Sequence, residues 1–196
     1  MKQKHFILII LLLSLLLITG CGTTTKDQAQ NDQTNTSDTE NDTASSVGLV
    51  NFQTEDIYGE EKNQDIFKDY SLTLVNVWGT FCGPCLEEMP YLGQLQEEYE
   101  TKGVNIVGIV VDVQDEDLQI IDEQIDLAKE ITTSTGADYT HLIVSEDLIE
   151  SVLSEFDAIP ASFIVDSDGN IVSEFYIGSR SKEDWVTIIE ENMAKQ

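Results

Sequence analysis

Apolar and polar positions divide the chain into three stretches before any single residue is considered. From Phe6 to Ile18 every residue except Ser14 is apolar. Residues 22–48 are almost entirely Thr, Asn, Gln, Asp and Ser, with three apolar residues at most. From Leu49 to Gln196 strand-like and helix-like periods alternate, which predicts an α/β domain. Within it, Leu72–Trp78 (LTLVNVW) suits a buried central strand, and Gly103–Val113 contains a second. Residues 83–101 between them carry a helical period, so the three make a βαβ unit. A second helix is expected over Glu116–Thr135, ended by Gly136, and a short strand over Thr140–Val144. Ser145 is placed to cap a helix reaching about Phe156. Ser162–Asp166 and Ile171–Tyr176 flank Ser167-Asp168-Gly169-Asn170, a hairpin signal because Asp-Gly tolerates positive φ. Ser181 caps a last helix with Trp185, Ile188 and Ile189 on its inner face.

The first two stretches describe how the domain is delivered. A helix of the Phe6–Ile18 length rises only about 20 Å, short of the roughly 30 Å hydrocarbon core. Behind Lys2 and Lys4 it therefore reads as the apolar part of an export signal. Its end, Ile18-Thr19-Gly20-Cys21, resembles a bacterial lipobox, which implies cleavage before Cys21 and diacylglycerol on its thiol. An uncleaved anchor, or a signal with a coincidental cysteine, is the alternative. The polar stretch cannot bury enough surface to offset its ordering entropy, so a flexible tether spanning roughly 30 Å is expected. The expected division is a signal over 1–20, lipidated Cys21 with its tether over 21–48, and the folded domain over 49–196.

Charge narrows the partners. Ten basic residues oppose 37 acidic ones, a net charge of −27, with a pI near 4.1. Such a chain repels phosphate backbones and anionic headgroups, so nucleic acid is excluded and a membrane anchor has to be lipid. With 41% hydrophobic residues the chain can still build a real core.

With Cys21 assigned to lipid, the three cysteines reduce to one pair, Cys82 and Cys85. They stand between a buried strand and a helix, in Trp78-Gly79-Thr80-Phe81-Cys82-Gly83-Pro84-Cys85. Two intervening residues at a helix N-terminus let the sulfurs bond while the first thiol stays exposed. Unpaired N–H groups and the positive helix end favour a thiolate there, as in thioredoxin with a pKa of about 7. A purely structural disulfide would close a four-residue ring and contribute only about 2 kcal/mol. A metal site needs more ligands than two thiolates. Without His5, which leaves with the signal, His141 is the one remaining imidazole, and it reads as a half-buried or surface residue on a strand. Neither metal nor cofactor is expected.

These residues carry a resemblance. W-G-T-F-C-G-P-C, then Glu88-Met89-Pro90, and Ile159-Pro160 ahead of a strand with its Asp168-Gly169-Asn170 turn, resemble the thioredoxin superfamily. The pattern is most similar to its membrane-tethered TlpA/ResA-like thiol-disulfide oxidoreductases. The resemblance implies a thioredoxin-like fold: a central mixed sheet flanked by helices, with an N-terminal extension and an inserted helix–strand segment after the βαβ unit. It implies that Cys82 attacks a client disulfide and Cys85 resolves the mixed disulfide. Pro160 would be a cis-proline beside the cysteines, exposing the Ile159 backbone to an extended client; a trans proline opening an edge strand is the plainer reading. Trp78, Phe81, Gly83, Pro84, Ile159 and Pro160 form the expected client-binding set, with Trp78 packing beneath the loop. Phe81 stands where a Trp often precedes the first cysteine.

Glu88 stands apart from the motif. At 100° per residue it lies about 60° from Cys85, at the margin of the stripe formed by Cys85, Met89 and Leu92. Burial there would raise its pKa and suit it to accept the Cys85 proton; a boundary carboxylate that reaches solvent is the alternative. Asn76 occupies the place where thioredoxin has a buried Asp, so proton transfer falls to another group. Pro90 should kink its helix. Asp112, Asp115, Glu116 and Asp117 read as a solvated loop.

Three functions compete. One is a lipid-anchored reductase acting as a monomer on disulfides of exported proteins, such as apocytochrome c or thiol-repair enzymes, at the extracytoplasmic face of the bacterial membrane. It would draw electrons from a CcdA/DsbD-like integral membrane carrier. The others are a disulfide oxidant or isomerase of the same fold, and a non-catalytic lipoprotein with an incidental C-x-x-C.

Overall fold

A computed structural model describes residues 48–196. The expected signal, Cys21 and nearly all of the tether lie outside the described residues. Among the described residues the first regular elements form a small antiparallel hairpin, β1 (Gln53–Glu55) and β2 (Glu61–Asn63). It then lays down β3 (Leu72–Trp78), α1 (Gly83–Tyr99), β4 (Val104–Val110), α2 (Asp122–Thr135) and β5 (Thr140–Ile143). A short α3 (Glu146–Ser151) leads to β6 (Ala161–Asp166), β7 (Tyr176–Ile177) and α4 (Lys182–Met193). The main sheet runs β5-β4-β3-β6-β7, with β3, β4 and β5 parallel and β6 and β7 antiparallel. It is the mixed sheet expected, and α2 with β5 is the inserted helix–strand segment.

β3 and β4 are buried at every position because both sheet faces are covered. On one face Leu72 and Leu74 pack with Leu92 and Leu95 of α1 and Trp185 and Ile189 of α4. Trp78 continues this face toward Cys85 and Met89 of α1 and Ala128 and Ile131 of α2. On the other face Val75 and Val77 meet Phe52, Phe67, Leu148 and Val152. The two-residue period thus sends Leu72, Leu74, Asn76 and Trp78 toward α1. Leucines fill the bottom of that layer; Asn76, nearer the cysteines, places a polar group inside it.

Three expected elements change their limits. The helix expected from Glu116 starts at Asp122, because the Asp115 carboxylate claims the preceding turn. Its Oδ1 accepts from the backbone N–H of Asp117 and Gln119, both at 2.9 Å, and Leu118 takes a φ of 57°. The helix begun by Ser145 ends at Ser151 and gives way to a 3₁₀ turn over Leu153–Glu155. The strand expected over 171–176 is regular only at Tyr176–Ile177, although Ile171 still bridges Val165. The turn itself is as expected, with Asp166 Oδ1 accepting from Asp168 and Asn170 and Gly169 at φ 85°. α1 continues through Pro90.

Candidate active site

β3 ends at Trp78, and the next four residues turn the chain into α1. Cys82 is the N-cap of α1 in extended geometry, and its sulfur accepts the Cys85 backbone N–H at 3.3 Å. Pro84 in the first turn loses nothing by lacking an N–H there. Cys82 and Cys85 form a disulfide with Cα atoms 5.2 Å apart. Cys82 is 6% exposed and Cys85 0%, so a client can touch only the first sulfur. The first sulfur, expected to stay exposed, is thus nearly covered in the disulfide form. The rim around it is open: Phe81 is 75% exposed, and Gly83 and Pro84 face solvent.

Two contacts hold the loop in place. Thr80 donates its backbone N–H to both Asp112 carboxylate oxygens, at 2.9 and 3.0 Å, and its hydroxyl to Oδ2. Asp112 therefore leaves the solvated cluster to which the sequence assigned it and braces the approach to Cys82. Opposite, the Ile159–Pro160 peptide is cis, as expected. Its loop lies against the cysteine loop: a Cβ on Gly79 would stand 3.0 Å from the Phe81 ring and 3.1 Å from Ile159 Cδ1. Gly178 N–H takes the Pro160 carbonyl at 2.8 Å, tying the loop to β7. Phe81 of the cysteine loop, Ile159 of the cis-proline loop, Val111, Leu153 and Phe156 line an apolar groove of about 300 Å³. A larger cleft of about 650 Å³ lies between the β1–β2 hairpin and the 114–120 loop, and no expected site residue lines it.

Trp78 and His141 need correction. Trp78 is wholly buried, so it supports the loop from beneath and cannot contact a client. Its indole N–H donates to His141 Nδ1 at 3.1 Å, which leaves His141 Nε2 as the protonated nitrogen, donating to the Ala137 carbonyl at 3.0 Å. His141, expected half-buried or at the surface, is 2% exposed, and burial lowers its pKa to about 4. The pair crosses β4 at Gly108, where a Cβ would sit 2.2 Å from His141 Nδ1.

Glu88 lies inside the protein rather than at its margin, at 1% exposure, which removes the solvent-reaching alternative. Three donors converge on it. Asn76 Nδ2 reaches Oε1 at 2.9 Å, while the Arg180 backbone N–H and the Trp185 indole reach Oε2 at 3.0 and 3.3 Å. Burial raises its pKa above the ordinary carboxylate value, and the three donors and the Arg180 charge only partly oppose this. Sequence reasoning missed Arg180 and saw Trp185 only as core. Arg180 is the one arginine in the chain, a signal that was available.

The capped sulfur pair, a buried carboxylate one helical turn beyond Cys85 and the cis-proline loop beside the cysteine loop make an arrangement suited to thiol–disulfide exchange. A family model described as Redoxin matches residues 40–189. The thiol-disulfide oxidoreductase ResA of Bacillus thuringiensis subsp. konkukian (strain 97-27) is 32% identical over 133 residues, 68% of this chain and 69% of its own. ResA of Geobacillus kaustophilus (strain HTA426) is 29% identical over 146 residues, 72% and 75% of the two chains. The crystal structure of a thioredoxin-family thiol:disulfide interchange protein from Chlorobium tepidum TLS matches with a TM-score of 0.59 at 28% identity. That match covers 72% of this chain and 92% of that one. An incidental C-x-x-C is thereby set aside: the chain belongs to the Redoxin family, with a thioredoxin-like fold, and is a thiol-disulfide oxidoreductase related to ResA.

Proposed function

We propose that the protein reduces disulfides of exported proteins at the extracytoplasmic face of the membrane, held there by lipid on Cys21. The observation that carries the roles of the two sulfurs is their asymmetry: Cys82 caps α1 and is partly open, while Cys85 is closed off. Cys82 thiolate attacks the client disulfide, and one client sulfur leaves as a thiolate. Cys85 then gives its proton to Glu88 and attacks the Cys82 sulfur, releasing the second client thiolate. The client gains two electrons, the enzyme pair loses two, and the client thiolates take up protons from solvent and from Glu88. Phe81, Gly83, Pro84, Ile159 and Pro160 form the rim on which the client lies.

The Gly83-Pro84 dipeptide supports the reducing direction. Thioredoxin, which shares it, has a potential of about −270 mV, against about −120 mV for a strongly oxidising relative. Electrons would arrive from a CcdA/DsbD-like membrane carrier, since cytoplasmic reductants cannot reach the pair directly. The lipid anchor rests on the apolar run Phe6–Ile18 and its ending at Cys21. Replacing Cys85 by Ser tests the reading directly. Cys85→Ser should accumulate as a mixed disulfide through Cys82 with exported proteins that mass spectrometry can name; absence of such adducts contradicts it. The oxidant reading is separated by titration against glutathione, where a potential well above about −200 mV would favour it.

A further inference from the structure

We propose that Asn76 is a positioning residue whose side-chain amide turns over when Glu88 takes up a proton, so that the proton is held on Oε1. This rests on the proton-acceptor role of Glu88 proposed above. The two carboxylate oxygens have different partners. Oε2 faces the Arg180 backbone N–H and the Trp185 indole N–H, and both groups can only donate. Neither can turn away. The Arg180 guanidinium donates to the Gly178 carbonyl at 2.8 Å and stacks 4.9 Å from the Tyr176 ring centre and 5.4 Å from that of Trp185. Oε2 is therefore an acceptor in both charge states, and a proton on it would face two N–H groups.

Oε1 faces Asn76, whose amide has both a donor and an acceptor end. In the structure Nδ2 donates to Glu88 Oε1 at 2.9 Å and to Ser162 Oγ at 3.0 Å, while Oδ1 is buried without a partner. That orientation suits a carboxylate. Once Oε1 carries a proton, N–H would oppose O–H. A half-turn of the amide brings Oδ1 round to accept from both Oε1–H and the Ser162 hydroxyl. Each orientation leaves one amide atom unpartnered, so the burial cost largely cancels and the proton on Glu88 decides between them. An Asp here would put a second carboxylate beside Glu88 and compete for the same proton; Asn reads the proton without binding it.

Few other charges enter. Cys85 lies one helical turn before Glu88 and does not titrate in the disulfide form. The Arg180 charge favours the carboxylate, and the Tyr139 phenol is kept protonated by its burial first and by the Glu88 charge second. β3 and β6 contribute only the uncharged Asn76 and Ser162. In the step itself the Cys85 proton passes to Oε1 and the S–H electron pair stays on Cys85 sulfur.

The test is a ¹H–¹⁵N titration of the oxidised, full-length protein from about pH 4 to about pH 9, following the Trp185 indole and the Asn76 side-chain amide. Both signals should move with one midpoint above the ordinary glutamate value. In Glu88→Gln neither should titrate. Trp185→Phe removes one donor to the carboxylate and should raise the Asn76 midpoint by about one pH unit. If the indole titrates and the Asn76 amide does not, or does so with another midpoint, the Asn76 device is overturned while Glu88 keeps its role. If neither titrates in the wild type, both the role of Glu88 and the inference fall.

Discussion

His141 and Glu88 lie in one buried layer under the cysteine loop, yet their ionisation acts on stability in opposite senses. His141 has an ordinary pKa of 6.5 when unfolded and about 4 when folded, so the folded protein keeps it neutral. Its contribution is complete above pH 6.5 and is lost as pH falls toward about 4, a loss of about 3 kcal/mol at most. Glu88, raised in the folded state, contributes below the ordinary carboxylate pKa and loses that contribution as pH rises. Comparing the wild type with His141→Gln isolates the first effect. The wild type's advantage in urea unfolding should shrink steadily between pH 6.5 and 4; an advantage independent of pH would contradict the assignment. At this scale the sequence revealed residues whose partners are near in the chain. Cys82 caps the helix that carries Cys85 and Glu88, so spacing sufficed to group them. Asp112 braces Thr80 from 32 residues away, and Arg180 reaches Glu88 across 92, which no local pattern encodes.

Elements are set by the same balance of local pattern and distant contact. β3 and its helix α1 follow from an apolar run and a capped turn, and both were readable nearly to the residue. The stretch 116–121 has helical composition but loses its helix to the Asp115 side chain, a competition that composition alone does not display. Helix α1 also carries a glycine that helical propensity would replace. A Cβ on Gly93 would stand 2.0 Å from the Gly136 carbonyl oxygen, and Gly136 is fixed at φ 67° as the C-cap of α2. On an open helix Gly→Ala gains about 1 kcal/mol. Here Gly93→Ala should instead destabilise by about 1–3 kcal/mol, because backbone must move to admit the methyl. Chemical denaturation reads the sign, and a stabilised variant would show that α1 and α2 pack less closely.

For the whole molecule, charge governs encounter. Residues 49–196 hold 7 basic and 32 acidic side chains, a net charge of −25. Such a surface attracts cationic clients and repels anionic ones over a Debye length of about 8 Å at physiological salt. Reduction of a basic disulfide peptide should slow about tenfold or more between low and high salt, and that of an acidic peptide should quicken. Stopped-flow rates with a matched pair of peptides check this, and equal salt dependence for both would refute it. The overall α/β plan was legible because each buried strand declares itself; how the sheet's two faces are filled was not, since that depends on which distant helices cover them.

Cys82 as the readily ionised, attacking sulfur is the claim on which the chemistry depends. Alkylation of the fully reduced protein across pH, with the modified cysteine identified by mass spectrometry, measures it. Cys82 should react first, with a half-maximal rate near about pH 7. Reaction of Cys85 first, or a Cys82 midpoint at or above about 8.5, would contradict the account.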